Sequence, residues 1–125
     1  MARLRCGEAA SVEMVVRAAE ALSDVVFGVQ IATVSGAVVF GTNTALEGLR
    51  AERLAGDARI TLEIPSLDLS PGVYALDVAV HARDGAPYDY RRDALRFEVT
   101  AERAGTGVWS PARRWSFSGG IRWKE

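Results

Sequence analysis

Apolar side chains recur at every second position through most of this chain, and that period belongs to strands whose successive side chains point to opposite faces, one face buried. Residues 11–18 set Val12, Met14, Val16 and Ala18 inward against Ser11, Glu13, Val15 and Arg17. Residues 25–33 place Val25, Phe27, Val29 and Ile31 on one face, and residues 38–43 make a third strand with Phe40 in the core. A fourth, 58–64, alternates Ile60, Leu62 and Ile64 with Arg59, Thr61 and Glu63 and is closed by Pro65. Beyond the Ser70-Pro71-Gly72 turn, Tyr74, Leu76, Val78 and Val80 form the longest inward row; Leu95, Phe97 and Val99 repeat it, and a last strand is expected around Val108 to Phe117. Ser35-Gly36, Asp84-Gly85-Ala86-Pro87 and Gly105-Thr106-Gly107 punctuate the pattern, and Thr44 to Asp57, with two glycines, reads as a loop. The expectation is an all-β fold: an antiparallel β-sandwich of jelly-roll or immunoglobulin-like type with seven to eight strands over residues 1–117, followed by a tail at 118–125.

Charge and chemistry then exclude several functions. With 15 basic and 16 acidic residues the net charge is −1, so a nucleic acid or an anionic membrane surface meets no basic patch; the Arg91-Arg92 and Arg113-Arg114 pairs are too short to make one. Cys6 is the one cysteine and His81 the one histidine, 75 positions apart, and there is no phosphate-binding Gly-x-x-x-x-Gly-Lys-Ser/Thr loop. Nucleotide hydrolysis, a zinc cluster and a Cys/His nucleophile pair therefore lack their usual parts, and neither enzyme activity, cofactor nor metal is expected. Asp89 with Asp93 could serve as a glycosidase carboxylate pair, but such residues on sheets are ordinarily solvated. A lone cysteine needs no oxidising compartment, and Arg3 and Arg5 are followed by no apolar run of signal-peptide length; cytoplasm is the expected location.

The outward faces carry a different signal. Gly28 and Ala32, Gly41, and Ala75 and Ala79 leave small groups on three strands, which make a shallow trough, and Gln30, Asn43, Asp77 and His81 lie between them. That mixture of donors and acceptors suits the hydroxyl rim of a pyranose, whose apolar C–H face asks for an aromatic platform. Tyr88 and Tyr90, two apart and on one face if extended, and Trp109 are the candidate platforms, while Tyr74 belongs to the core. The expected carbohydrate-binding set is Gln30, Asn43, Asp77, His81, Tyr88 and Tyr90. Plainer roles stand beside these: His81 as an ordinary surface histidine, Asn43 as the residue that closes its own turn, Gly28 and Gly41 as bulges or points of close backbone approach. Trp115 and Trp123, near the chain end, read as packing or interface residues.

Several phrases, in order and spacing, resemble one family. They are Gly7-Glu8, Val26-Phe27-Gly28-Val29 with Ile31, Val39-Phe40-Gly41-Thr42-Asn43-Thr44, Leu69-Ser70-Pro71-Gly72-Val73-Tyr74-Ala75-Leu76-Asp77-Val78-Ala79-Val80, Tyr88-Asp89, Phe97-Glu98-Val99 and Gly107-Val108-Trp109. The chain is similar to the C-terminal carbohydrate-binding domain of the Wzt-type ATP-binding subunit of O-antigen polysaccharide ABC transporters. The resemblance implies a module that recognises finished, lipid-linked polysaccharide at the inner face of the inner membrane. It further implies a homodimer, by exchange of the C-terminal strand in some members, and the transporter's ATPase domain and membrane subunit as partners. The ATPase domain has no counterpart in these residues, which would make the chain an excised or separately encoded module. A structural module that dimerises the ATPase halves without touching glycan is the alternative.

Overall fold

The computed structural model describes residues 1–123, and every regular element among them is a strand. There are six: β1 (Ala2–Arg5), β2 (Ala10–Thr33), β3 (Val38–Asn43), β4 (Ala51–Ile64), β5 (Gly72–Ala82) and β6 (Pro87–Thr100). The all-β expectation holds, whereas the hydrogen bonding gives one connected six-stranded sheet in place of seven or eight strands. Its order is β1-β6-β5-β2-β3, with β4 paired to β2 off that path, and β1 runs parallel to β6.

Two differences account for the strand count. The segments at 11–18 and 25–33 are one 24-residue strand: β2 pairs with β4 from Ala10 to Val25, then with β5 from Val25 to Thr33 and with β3 from Gly28 to Ala32. The join is marked by a register shift between Ala18 and Leu22 and by Asp24 at φ 50°. Aspartate tolerates that left-handed conformation better than most side chains, and Arg50 holds its carboxylate at 2.8 Å. The stretch expected to be a last strand pairs only at Leu69 with Trp109; there Ser70 N–H donates to the Val108 carbonyl and Ser110 N–H to that of Asp68, both at 2.7 Å. Glycine-rich 105–107 and Pro111 bracket that bridge, so the ladder has no room to grow. The loop expected over 44–57 gives way to strand from Ala51 onward.

Hairpin turns follow the sequence closely. Gly36 (φ 99°) and Gly85 (φ 96°) each take the left-handed conformation that closes β2–β3 and β5–β6, and Asp84 caps the second by accepting the Ala86 N–H.

Two apolar clusters lie under the sheet. One gathers Ile31, Leu67, Leu69, Tyr74, Leu76, Phe97 and Val99; the other gathers Met14, Val25, Phe27, Leu54 and Val80. Met14 and Phe27 come from opposite halves of β2, so the β2–β4 ribbon folds over the sheet that the same strand continues. Phe27 and Phe97 are buried as expected. Phe40 is not: it stands opposite Ile31 but on β3, an edge strand with no further strand among the described residues beyond it, and it remains 43% exposed. Tyr74 is the polar exception inside the first cluster, its hydroxyl donating to the Ser70 carbonyl at 2.6 Å. Burial of the ring also raises its phenol pKa. Tyr74→Phe removes that donor and leaves the carbonyl unpaired, which lowers unfolding free energy in urea titrations by about 1 kcal/mol.

Candidate functional site

The strand registers assemble a trough on the face opposite the clusters. Gly28 of β2 stands level with Ala79 of β5 and Asn43 of β3, and Ala79 level with Tyr90 of β6, so one row reads Tyr90, Ala79, Gly28, Asn43. The next row reads Asp77, Gln30, Gly41. Between the aromatic wall and the β3 edge the small residues leave an open cleft of about 380 Å³, rimmed further by Val38, Thr42 and Leu46. The two glycines are a floor and not bulges. A Cβ added to Gly28 would lie 3.7 Å from that of Asn43 and 3.8 Å from that of Ala79, so the backbone needs no glycine there while the cleft does.

Four of the six expected residues line this cleft: Gln30, Asn43, Asp77 and Tyr90. Each has a distinct part. Asp77 is buried at 7% exposure, one oxygen accepting the Asp93 N–H at 2.6 Å and the other the Gln30 Nε2 at 3.3 Å. That first bond answers a bulge in β6, where Arg92, Asp93 and Ala94 stand against Asp77 alone and Asp93 takes φ 53°. Asp77 therefore shapes the wall and holds Gln30 as well as lining the cleft. Asn43 does close its turn, its Oδ1 accepting the Leu46 N–H at 2.8 Å, so the donor half of its amide is what it can offer. Tyr90 is 58% exposed, its ring free to act as a platform.

His81 and Tyr88 fall elsewhere. His81 stands one row beyond, level with Val26 and Pro87, with Nδ1 2.7 Å from the Ala82 carbonyl. A carbonyl only accepts, so Nδ1 carries the proton. A second register shift, between Val80 and His81, leaves Tyr88 as the extra residue of β6 and breaks the two-residue alternation that was to align it with Tyr90. It lines a separate groove with Met14, Leu54 and Leu95. Trp109, 73% exposed, borders a third, apolar groove with Phe40 and Leu69. Leu46 was missed: the Asn43-x-x-Leu46 spacing of an asparagine-capped turn is the signal that places it on the rim.

The wall beside the cleft carries an ion pair. Arg96 holds Asp93 at 2.9 Å and keeps its carboxyl below the ordinary carboxylate range, chiefly by hydrogen bonding. A depressed folded value means the stabilisation is present above the unfolded pKa of about 3.9 and is lost as pH falls through the lower folded one. The bulge thus keeps this support at neutral pH.

Among the described residues no cluster of histidine, cysteine and carboxylate side chains is placed to hold a metal ion, and no helix is long and apolar enough to cross a membrane. No curated protein matches the sequence. A family model described as the Wzt C-terminal domain matches residues 2–110. Among solved structures the chain is similar to one titled as the crystal structure of the C-terminal domain of wzt, at 24% identity and a TM-score of 0.82, the match covering 92% of this chain and 73% of that one.

Proposed function

Since the chain belongs to the Wzt C-terminal domain family, we propose that it is a non-catalytic carbohydrate-binding module that recognises lipid-linked O-antigen polysaccharide for export by an ABC transporter. The observation that carries this reading is the convergence of Gln30, Asn43 and Tyr90, residues from three different strands, around one cleft floored by Gly28 and Gly41. An acceptor, a donor and an exposed ring are what a pyranose edge and face require. Three net hydrogen bonds and one ring contact, each about 1 kcal/mol, amount to roughly millimolar affinity. A site that weak releases a polymer readily, and two linked copies raise its avidity. The module would work in the cytoplasm at the inner face of the inner membrane, held there by the ATPase domain and the membrane subunit.

Titration of the isotope-labelled chain with purified O-polysaccharide, followed by NMR, tests the reading. Shifts are expected at 28–30, 41–43 and 77–90; shifts confined to other loops would sink the site.

The alternative role in dimerisation draws on a separate observation. Trp115 and Phe117 stack at 6.1 Å and Phe117 meets Trp123 at 4.2 Å, yet Trp115 is 81% exposed. An exposed aromatic ladder beside unpaired strand edges suits a homodimer formed by the C-terminal segment. Trp115→Ala with Trp123→Ala is expected to convert a dimer in analytical ultracentrifugation to a monomer while leaving the β-sheet circular dichroism unchanged. The tail expected over 118–125 includes residues 124 and 125, which lie outside the described residues.

A further inference from the structure

We propose that Asp77 fixes the sense of the Gln30 amide, so that the trough presents an acceptor and selects uncharged, hydroxyl-bearing sugars over sugars that carry a carboxylate. The inference rests on the glycan-binding reading and names the ligand class of that same site.

An amide is ambiguous until a neighbour fixes it, because its two ends differ only in whether they donate or accept. Here the neighbour is a carboxylate, which only accepts. Asp77 lies directly across from Gln30 in the β2–β5 register and takes Nε2 at 3.3 Å. Its other oxygen is engaged by the Asp93 N–H, so Asp77 cannot turn to present a different group. Gln30 must therefore send Oε1 the other way, and the position is visible from Gly41: a Cβ built there would sit 3.6 Å from Gln30 Oε1. The acceptor lies over the glycine floor, inside the cleft.

Charge points the same way. Among the described residues no arginine, lysine or histidine lines the cleft, and the one ionisable group there besides the Tyr90 phenol is the Asp77 carboxyl. Two of the nearby guanidiniums are paired, Arg96 with Asp93 and Arg91 with Asp89, and Arg92, which stands against Asp77 in the bulge, does not line the cleft. A sugar hydroxyl can donate to Oε1. A uronate carboxylate would set acceptor against acceptor at Oε1 and negative charge against Asp77, with no cation among the described lining residues to answer it.

Asp77→Asn reverses the device. Asparagine keeps an oxygen for the Asp93 N–H but turns its NH2 toward Gln30, which must then flip and offer Nε2 to the cleft. The test titrates wild type, Asp77→Asn, Gln30→Ala and the double variant with methyl glycosides of mannose, galactose, glucose and rhamnose and with glucuronic and galacturonic acids, by NMR. Wild type is expected to bind at least one neutral glycoside about tenfold more tightly than either uronate. Asp77→Asn is expected to shift that ratio toward uronate by about tenfold, with a smaller shift when Gln30 is already alanine.

Uronates bound by wild type as tightly as neutral glycosides overturn the proposal and leave glycan binding standing. An equal shift in the ratio with and without Gln30 also overturns it, since Asp77 would then act by charge alone. Binding of no saccharide, the purified polysaccharide included, overturns the glycan reading itself. If Asp77→Asn fails to fold, wild type decides: the Gln30 Hε2 protons should show nuclear Overhauser contacts to the Asp77 Hβ protons that persist with glycoside bound, and contacts from Hε2 to the sugar in their place overturn the proposal.

Discussion

Replacing Phe97 by alanine is expected to lower the unfolding free energy by about 3–5 kcal/mol. Phe97 is 5% exposed and stacks on Tyr74 at 5.6 Å, and it shares a cluster with Ile31, Leu67, Leu69, Leu76 and Val99. It also holds three strands together, facing Tyr74 of β5 and, in the parallel register, Ala2 of β1. The cavity left behind cannot close by a local slide, because its walls belong to β2, β5, β6 and the 67–69 loop. A core deletion costs more than the transferred apolar area when its walls are held in place, and here hydrogen-bonded ladders on both sides of β6 hold them. Urea or thermal unfolding measures the loss; a change below about 1 kcal/mol would mean that this cluster is not packed as described. Phe40→Ala supplies the contrast. Its ring is already 43% exposed at the sheet edge, so less than half that cost is expected.

Much of this architecture was legible from the residues because a two-residue period is a local property. Val25, Phe27, Val29 and Ile31, and likewise Tyr74, Leu76, Val78 and Val80, recur at every second position, and both rows appear on strands with those side chains inward. What failed is what depends on neighbours in space. Nothing within Arg17 to Asp24 announces that the chain keeps pairing through Asp24 at φ 50°; that follows from β4 supplying a partner on one side until β5 takes over on the other. Phe40 reads as core by its alternation, yet its burial depended on a further strand beyond β3 that the described residues do not supply. The last strand failed for a related reason, since Val108 to Phe117 has apolar residues but, at Trp109, a partner for only one.

The candidate site divides along the same line. Gln30, Asn43, Asp77 and Tyr90 converge because β2, β3, β5 and β6 pair in unbroken register at Gly28 and Ala79, and alternation then fixes their common face. Tyr88 was lost to one extra residue in β6, which breaks the alternation there, whereas His81 keeps its face on β5 but stands one row beyond the cleft. The sequence offered no signal for that bulge, whereas the wider one at Asp93 is stabilised by a side chain, Asp77, that sequence reading took for a ligand contact alone.

Filling the trough should abolish saccharide binding without harming the fold, and Gly28→Leu is the substitution that does so. Gly28 lies at the centre of the cleft, level with Ala79 and Asn43, in ordinary extended conformation. Its added Cβ would make contacts of 3.7 Å and 3.8 Å, comfortable for van der Waals packing, and the atoms beyond Cβ have only the cleft to enter. Glycine inside a strand costs about 0.5–1 kcal/mol relative to alanine, so Gly28→Ala should gain stability while trimming the floor only slightly. Gly28→Leu should hold the wild-type melting temperature or exceed it, yet lose at least about tenfold in affinity for the O-polysaccharide, because a roughly millimolar site has little binding energy to spare. Opposite signs in the two measurements are the diagnostic point, since a damaged fold lowers both. If the leucine variant still binds with the wild-type pattern of shifts at 28–30 and 41–43, the glycan lies elsewhere, and the grooves bordered by Tyr88 and by Trp109 become the surfaces to probe.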